Sequence, residues 1–234
     1  MYGYYGYYMD WTYILVLIGA VFSLIASAKV NSTFEKYKKV RSMTGFTGAQ
    51  AAEKILEQNG IYDVAVEHVS GKLTDHYDPR SKVLRLSDST YDSQSVAAIG
   101  VAAHECGHAL QHKEEYLPLK IRSAIVPAAN IGSRLGIPII ILGVILSYNY
   151  TLIQVGIWVF SLAVLFQVVT LPVEFNASSR AVKMLEQYGI LGNQELQQTK
   201  RVLSAAAMTY VAAAAASILQ LLRLILLFGR RDRD

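Results

Sequence analysis

The sequence predicts a mainly α-helical integral membrane protein with three to four transmembrane helices and one modest polar domain. Three observations carry that expectation. The 234 residues are 53% hydrophobic, with mean hydropathy +0.29, more apolar than is usual for a soluble domain of this length. The apolar residues are clumped: residues 11–28, 135–173 and 202–222 contain no Asp, Glu, Lys or Arg, and a bilayer-spanning helix needs about 20 such residues. The charges are concentrated between these runs, where the patterning is that of an ordinary folded domain.

Residues 1–10 (MYGYYGYYMD) form a Tyr-rich N-terminus, read as an interfacial aromatic anchor on the extracytoplasmic side. Residues 11–28 are the first transmembrane helix. They end in Ala26-Ser27-Ala28, which mimics a signal-peptidase site, but a signal peptide carries its positive charge before the apolar run. Here Asp10 precedes the run and Lys29, Lys36, Lys38, Lys39 and Arg41 follow it, so the segment is an uncleaved anchor with its C-terminal end in the cytoplasm.

Residues 29–122 form the cytoplasmic polar domain. Thr47-Gly48-Ala49-Gln50 is a capping-box pattern opening a helix that stops at Gly60. The alternation in YDVAVEHV and KVLRLS predicts strands near 62–69 and 82–87, with DHYDPR in the loop between them. Ser93 or Ser95 caps a helix over about 95–113. Residues 123–173 are a transmembrane hairpin turning at Ser147–Thr151, with Arg134 placed to snorkel toward the surface. Residues 174–201 form a polar helix, broken at Gly189 and Gly192, with Asn193 as the cap of the last one. Residues 202–228 are the C-terminal membrane helix and 229–234 a tail. Four spans put GRRDRD outside, although its three arginines favour the cytoplasm. The net charge of +4 therefore reports topology. No basic helix with interleaved aromatics appears, and no nucleic-acid partner is expected. The single cysteine, Cys106, excludes an internal disulfide.

The chemistry lies in VAAHECGHALQH, residues 101–112, which holds three of the five histidines. His104-Glu105-Cys106-Gly107-His108 matches H-E-x-x-H. Positions i and i+4 of a helix share a face, so His104 and His108 can both address one Zn²⁺. Glu105 can reach water at that ion and act as general base, then pass the proton to a leaving amine. Two histidines and a glutamate on an otherwise apolar helix are costly without partners. A catalytic zinc wants three protein ligands and an open position. His112 lies about 80° further round the helix from His104, without the glycine turn that wraps a third histidine onto a metal. Cys106 lies about 200° away and faces elsewhere. Glu174 remains as the candidate for a third ligand, at the end of the second half of the hairpin. It is the first charge after 39 uncharged residues, a place that a simple membrane-boundary residue also occupies. A ligand there requires an even number of crossings after His108, and the hairpin supplies two.

The runs LTDHYDPRSKVLRLS, SVAAIGVAAHECGHALQH, PLKIRSAIVPAANIGS and LPVEFNASSRA together resemble the YugP-like neutral zinc metallopeptidases of bacterial membranes. That family is similar in design to gluzincin proteases of the HtpX and CAAX-processing kind. The resemblance implies a zincin-like core with a small antiparallel sheet, in a multi-pass protein of the bacterial plasma membrane with its active site on the cytoplasmic side. It implies His104, His108 and Glu174 as zinc ligands and Glu105 as base. The activity implied is hydrolysis of peptide bonds in membrane-associated or misfolded proteins. Membrane lipid and protein or peptide substrates are the expected partners, with a membrane-protein regulator or a homo-oligomer as further candidates. The E-x-x-A-D motif of those relatives reads Glu174-Phe175-Asn176-Ala177-Ser178 here, so an uncharged Ser178 stands where an aspartate orients a ligand histidine. The resemblance further implies an edge strand that pairs with an extended peptide, with KVLRLS as the candidate, and His76 or Tyr210 as a group that stabilises the oxyanion.

Two other readings fit less of the sequence. A site-2-type intramembrane protease needs H-E-x-x-H inside a span, and the run before His104 is short, with Asp88 and Asp92 close behind. A scaffold with structural zinc needs four protein ligands, and only three good ones are found.

Overall fold

The computed structural model describes residues 10–229. The Tyr-rich segment 1–9 and the last five residues of the tail lie outside the described residues. Six helices and three strands follow in the order α1 (Tyr13–Tyr37), α2 (Gly48–Gln58), β1 (Ala65–Val69), β2 (His76–Asp78), β3 (Val83–Ser87), α3 (Val96–Lys113), α4 (Leu117–Ile145), α5 (Tyr150–Gln187) and α6 (Asn193–Phe228). Four helices (α1, α4, α5 and α6) are long and apolar enough to cross a membrane. The chain divides into two compact units. One comprises the chain up to Ile25, Ile125–Val168 and the chain from Ala212. The other comprises Ala26–Ala124 and Val169–Val211.

In the first unit, glycines allow α4 and α5 to approach closely. A Cβ on Gly136 would stand 2.7 Å from Phe160 Cβ, and one on Gly156 would stand 2.5 Å from Ile140 Cγ1. Small residues at such crossings replace the hydrophobic drive that water supplies elsewhere. The two helices join through Ser147 and Tyr148, both at positive φ (56° and 57°). Asn149 Oδ1 accepts the Leu152 N–H at 3.1 Å and starts α5. Arg134 is exposed on α4. Arg223 of α6 reaches Asp10 Oδ2 at 3.5 Å and lies 4.0 Å from the Tyr13 ring centroid.

In the second unit, Thr47 and Gln50 form the reciprocal capping box of α2. Gly60, at φ 64°, ends it. Ser95 caps α3, its hydroxyl accepting the Ala98 N–H at 3.2 Å. Helix α6 starts at Asn193 itself rather than after it. The Glu195 carboxylate accepts the N–H groups of Gly192 and Met43, each at 2.8 Å. The core gathers Ile55, Leu84, Leu86, Ile99, Leu185 and Ile190, all at most 1% exposed. Burying side chains of this size is worth roughly 1.5–3 kcal/mol each.

The sheet order is β1-β3-β2. It corrects two expectations. The sheet is mixed: β2 and β3 are antiparallel, whereas β1 and β3 are parallel. The connection 70–75 carries the chain past one strand position, and β3 then fills the gap. The KVLRLS strand is consequently central, paired on both sides, and has no free edge for a peptide. Strand β2, His76–Asp78, lies in the DHYDPR segment expected to be loop. Three residues are too short a run for alternation to show.

Candidate metal centre

Helix α3 is built to be enclosed. Ala97, Ala98, Ile99, Ala102, Ala103, Cys106 and Ala109 are at most 2% exposed. Its small residues set the approach distances. A Cβ on Gly107 would lie 2.6 Å from the Ala177 carbonyl oxygen of α5, and one on Gly100 would lie 2.7 Å from Thr199 Cγ2 of α6. The Gly107 contact brings the 174–178 turn of α5 against the histidine face of α3. Glu174 and Ser178, four residues apart, share that face of α5.

The result is a convergence of donors. His104 Nε2 lies 3.2 Å and His108 Nε2 3.6 Å from the same oxygen, Glu174 Oε2. The three donor atoms all lie within 4.8 Å of one another. The two imidazole rings are edge-to-face, with centroids 4.7 Å apart. Glu174 is 2% exposed and His108 9%.

The outer ring nitrogens are held as well. His108 Nδ1 lies 3.0 Å from Gln111 Oε1. The orientation of that amide is fixed, because Gln111 Nε2 donates to the Val173 carbonyl and to Asn176 Oδ1, each at 2.9 Å. An amide oxygen only accepts. Nδ1 of His108 therefore carries the proton, and in the neutral ring the Nε2 lone pair faces Glu174 and is free to bind a metal. His104 Nδ1 makes the corresponding contact with Ser178 Oγ at 3.1 Å. Asn176 Oδ1 also accepts from Arg180 Nε at 2.7 Å, and Arg180 pairs with Glu114 at 2.6 Å. Two imidazoles and a carboxylate, oriented by further hydrogen bonds and with no fourth donor in the cluster among the described residues, are a donor set that fits zinc with an open position.

Charge surrounds this point. Glu105 is 8% exposed and lies within electrostatic reach of His108. Arg122 Nη1 is 3.4 Å from Glu174 Oε1, the oxygen turned away from the histidines. Tyr210 hydrogen-bonds Glu174. Burial works against a charged His108, but the hydrogen bond to Glu174 and the Glu105 charge prevail and raise its pKa above the usual imidazole value. Cys106 is fully enclosed, its Sγ 3.6 Å from the Ala52 carbonyl oxygen, and burial pushes its thiol well up.

Of the residues singled out in the sequence, the structure brings together His104, His108, Glu174, Ser178, Glu105 and Tyr210. His76 is apart from the cluster. It is exposed on β2 with Nδ1 2.9 Å from the Thr74 carbonyl oxygen. His112 is exposed and meets Tyr77 Oη at 2.8 Å. Gln111, Asn176 and Arg122 were missed. Gln111 had a signal: it lies three residues after His108, on the same side of the helix.

A helix bearing H-E-x-x-H thus meets a glutamate from a second long helix in a cluster that could hold a metal ion. The chain belongs to the family described as "Putative neutral zinc metallopeptidase", whose profile matches residues 12–229. It is 50% identical over 224 residues to "Putative membrane protease YugP" of Bacillus subtilis (strain 168), covering 95% of this chain and 99% of that one. No solved structure matches the chain.

Proposed function

We propose that this protein is a membrane-anchored zinc endopeptidase whose metal is held by His104, His108 and Glu174. The observation that carries the reading is the meeting of both histidine Nε2 atoms at one Glu174 oxygen, within a cluster of exactly the catalytic donor type. A zinc ion there supplies Lewis acidity, which activates water near neutral pH and polarises a peptide carbonyl. Gln111 and Ser178 hold the histidine rings in place. Arg122 and Tyr210 hold Glu174. Glu105 takes a proton from the attacking water and delivers it to the departing amine. Tyr210, already beside Glu174, is better placed than His76 to donate to a developing oxyanion.

The substrate in this reading is an extended segment of a membrane-associated or misfolded protein. Because β3 is paired on both sides, backbone pairing falls to the outer edge of β2, which hydrogen-bonds only to β3 and is tied to α3 through Tyr77 and His112. The charges after the first apolar run favour the cytoplasmic side of a bacterial plasma membrane for the H-E-x-x-H helix. Helix α3, with 18 residues, is not among the four helices long and apolar enough to span, which disfavours a site-2-type intramembrane protease. A structural zinc in a non-catalytic scaffold asks for a fourth protein donor, and the cluster among the described residues has three.

Zinc content and peptide cleavage measured together test the proposal. Glu105→Gln keeps about one zinc per chain and loses cleavage by a factor on the order of 10³ or more, a range typical of general acid–base groups with their associated electrostatics. Cleavage by Glu105→Gln at the normal rate overturns the mechanism.

A further inference from the structure

We propose that the second unit carries a binding site for the phosphate-bearing headgroup of an anionic lipid, in a cleft between α1 and α6. The cleft has a volume of about 610 Å³. Lys29 and Lys36 line it from α1, and Lys200, Arg201, Ser204 and Met208 from α6. The spacing explains the convergence. Residues seven or eight apart return to one face of a helix, so 29 and 36 form one stripe, and 200, 201, 204 and 208 form its counterpart.

Four positive charges meet in this cleft, and no carboxylate lines it. The acids on both helices are engaged elsewhere. Glu35 of α1 binds Lys38 at 2.5 Å and Lys72 at 2.7 Å, and Glu195 of α6 accepts backbone N–H groups. Among the described residues, none of Lys29, Lys36, Lys200 and Arg201 is within ion-pair distance of a carboxylate. Arg201 is fixed by donating from Nη1 to Tyr37 Oη at 3.1 Å. A preset cluster of cations with hydroxyls beside it is chemistry for a phosphate.

Position selects the lipid as the source of that phosphate. The charge-free run of α1 ends at Ala28, one residue before Lys29. That of α6 begins at Val202, one residue after Arg201. The cleft thus sits at the polar end of two membrane helices, the level at which headgroups lie. Met208, 40% exposed, supplies an apolar wall where acyl chains begin. Topogenic lysines need only be near a membrane face. These come from two helices more than 160 residues apart in sequence and share one cavity.

The test uses the full chain in an uncharged detergent, with bound lipid counted by native mass spectrometry. Dioctanoyl-phosphatidylglycerol should bind at one saturable site at least tenfold more tightly than dioctanoyl-phosphatidylcholine. Each basic residue near an anionic headgroup contributes about fivefold, so Lys36→Glu with Lys200→Glu should weaken binding by roughly twentyfold or more. Arg80→Glu, a charge reversal at an exposed site, should leave it unchanged. Wild-type binding should collapse in 0.5 M NaCl, a readout that needs no variant. Equal binding of the two lipids, or an equal loss with Arg80→Glu, overturns the site. Full displacement by equimolar inorganic phosphate overturns the lipid as its ligand.

Discussion

Two arginine–carboxylate pairs among the described residues, Arg122 with Glu174 and Arg223 with Asp10, are differently finished. In the second unit, Arg122 meets Glu174 at Oε1, and both histidine Nε2 atoms face Oε2. In the first unit, Arg223 meets Asp10, whose carboxylate is otherwise satisfied by the Thr12 hydroxyl and N–H, and the guanidinium lies over Tyr13. One pair is completed by local partners. The other is a carboxylate held by Arg122 and Tyr210, with Oε2 turned toward two imidazoles. Buried ion pairs are weak evidence of stability, and what surrounds them decides what they are for. Asp10 and Arg223 have the surroundings of a helix tie, Glu174 those of a ligand.

The comparison breaks most readily at Glu174. Glu174→Ala should abolish stoichiometric zinc and with it peptide cleavage, while the detergent-solubilised protein stays folded by circular dichroism. Retention of one zinc per chain would remove Glu174 from the ligand set and make it a second helix tie.

Next in size are the groups behind the histidines. Loss of such an orienting partner typically costs 10–100-fold in metal affinity. Gln111→Leu should fall at the upper end of that range. Gln111 is fully buried, and its replacement strands His108 Nδ1 and takes a donor from both Asn176 Oδ1 and the Val173 carbonyl. Ser178→Ala should cost less, because only His104 Nδ1 loses a partner. Competition with a zinc chelator ranks the two, and the reverse order would mean that His104 is the more tightly oriented ligand.

The same hydrogen bonds give the site its pH dependence. In the metal-free centre the His108 pKa is raised, with the Glu174 and Gln111 contacts both favouring the charged ring. The stabilisation that Glu174 gives to protonated His108 is fully present below the ordinary imidazole pKa and is lost as pH rises through the raised one. Zinc needs the neutral ring, so its apparent affinity should be flat above the raised pKa and decline below it, about tenfold per pH unit for one competing proton. The onset of decline should lie above pH 6.5, the unperturbed value. Gln111→Leu should move it downward, because one of the interactions favouring the charged ring is gone. Zinc titrations at several pH values read both.

The three residues of the candidate metal cluster were legible from the sequence for two different reasons. His104 and His108 show through helical spacing alone. Glu174 shows only because a span-length hairpin must bring the chain back. What orients them was less visible. Ser178 was found by its place in the EFNAS run, whereas Gln111 reads as an ordinary polar residue near a helix end until α5 is packed against it. Arg122 was the last residue of the segment read as the polar domain, with no spacing to tie it to Glu174. The sheet was legible in its two five-residue strands but not in its order, because strand order depends on a six-residue loop and a three-residue strand with no periodic signal.

The smallest expected effect lies at the other pair. Polar contacts between membrane helices average about 0.6 kcal/mol, with about 1.7 kcal/mol the largest measured. Asp10→Asn keeps the hydrogen-bonding shape and removes the charge opposite Arg223. It should therefore lower stability by on the order of 1 kcal/mol, read as a shift in the unfolding midpoint in a mixed-micelle denaturation series. Zinc content and cleavage should be unchanged, because the ion pair of Asp10 with Arg223 and the hydrogen bonds of Asp10 to Thr12 involve none of His104, His108 and Glu174. If Asp10→Asn instead removed zinc as Glu174→Ala does, the two pairs would not be separable, and the metal centre would depend on how the ends of α1 and α6 are tied.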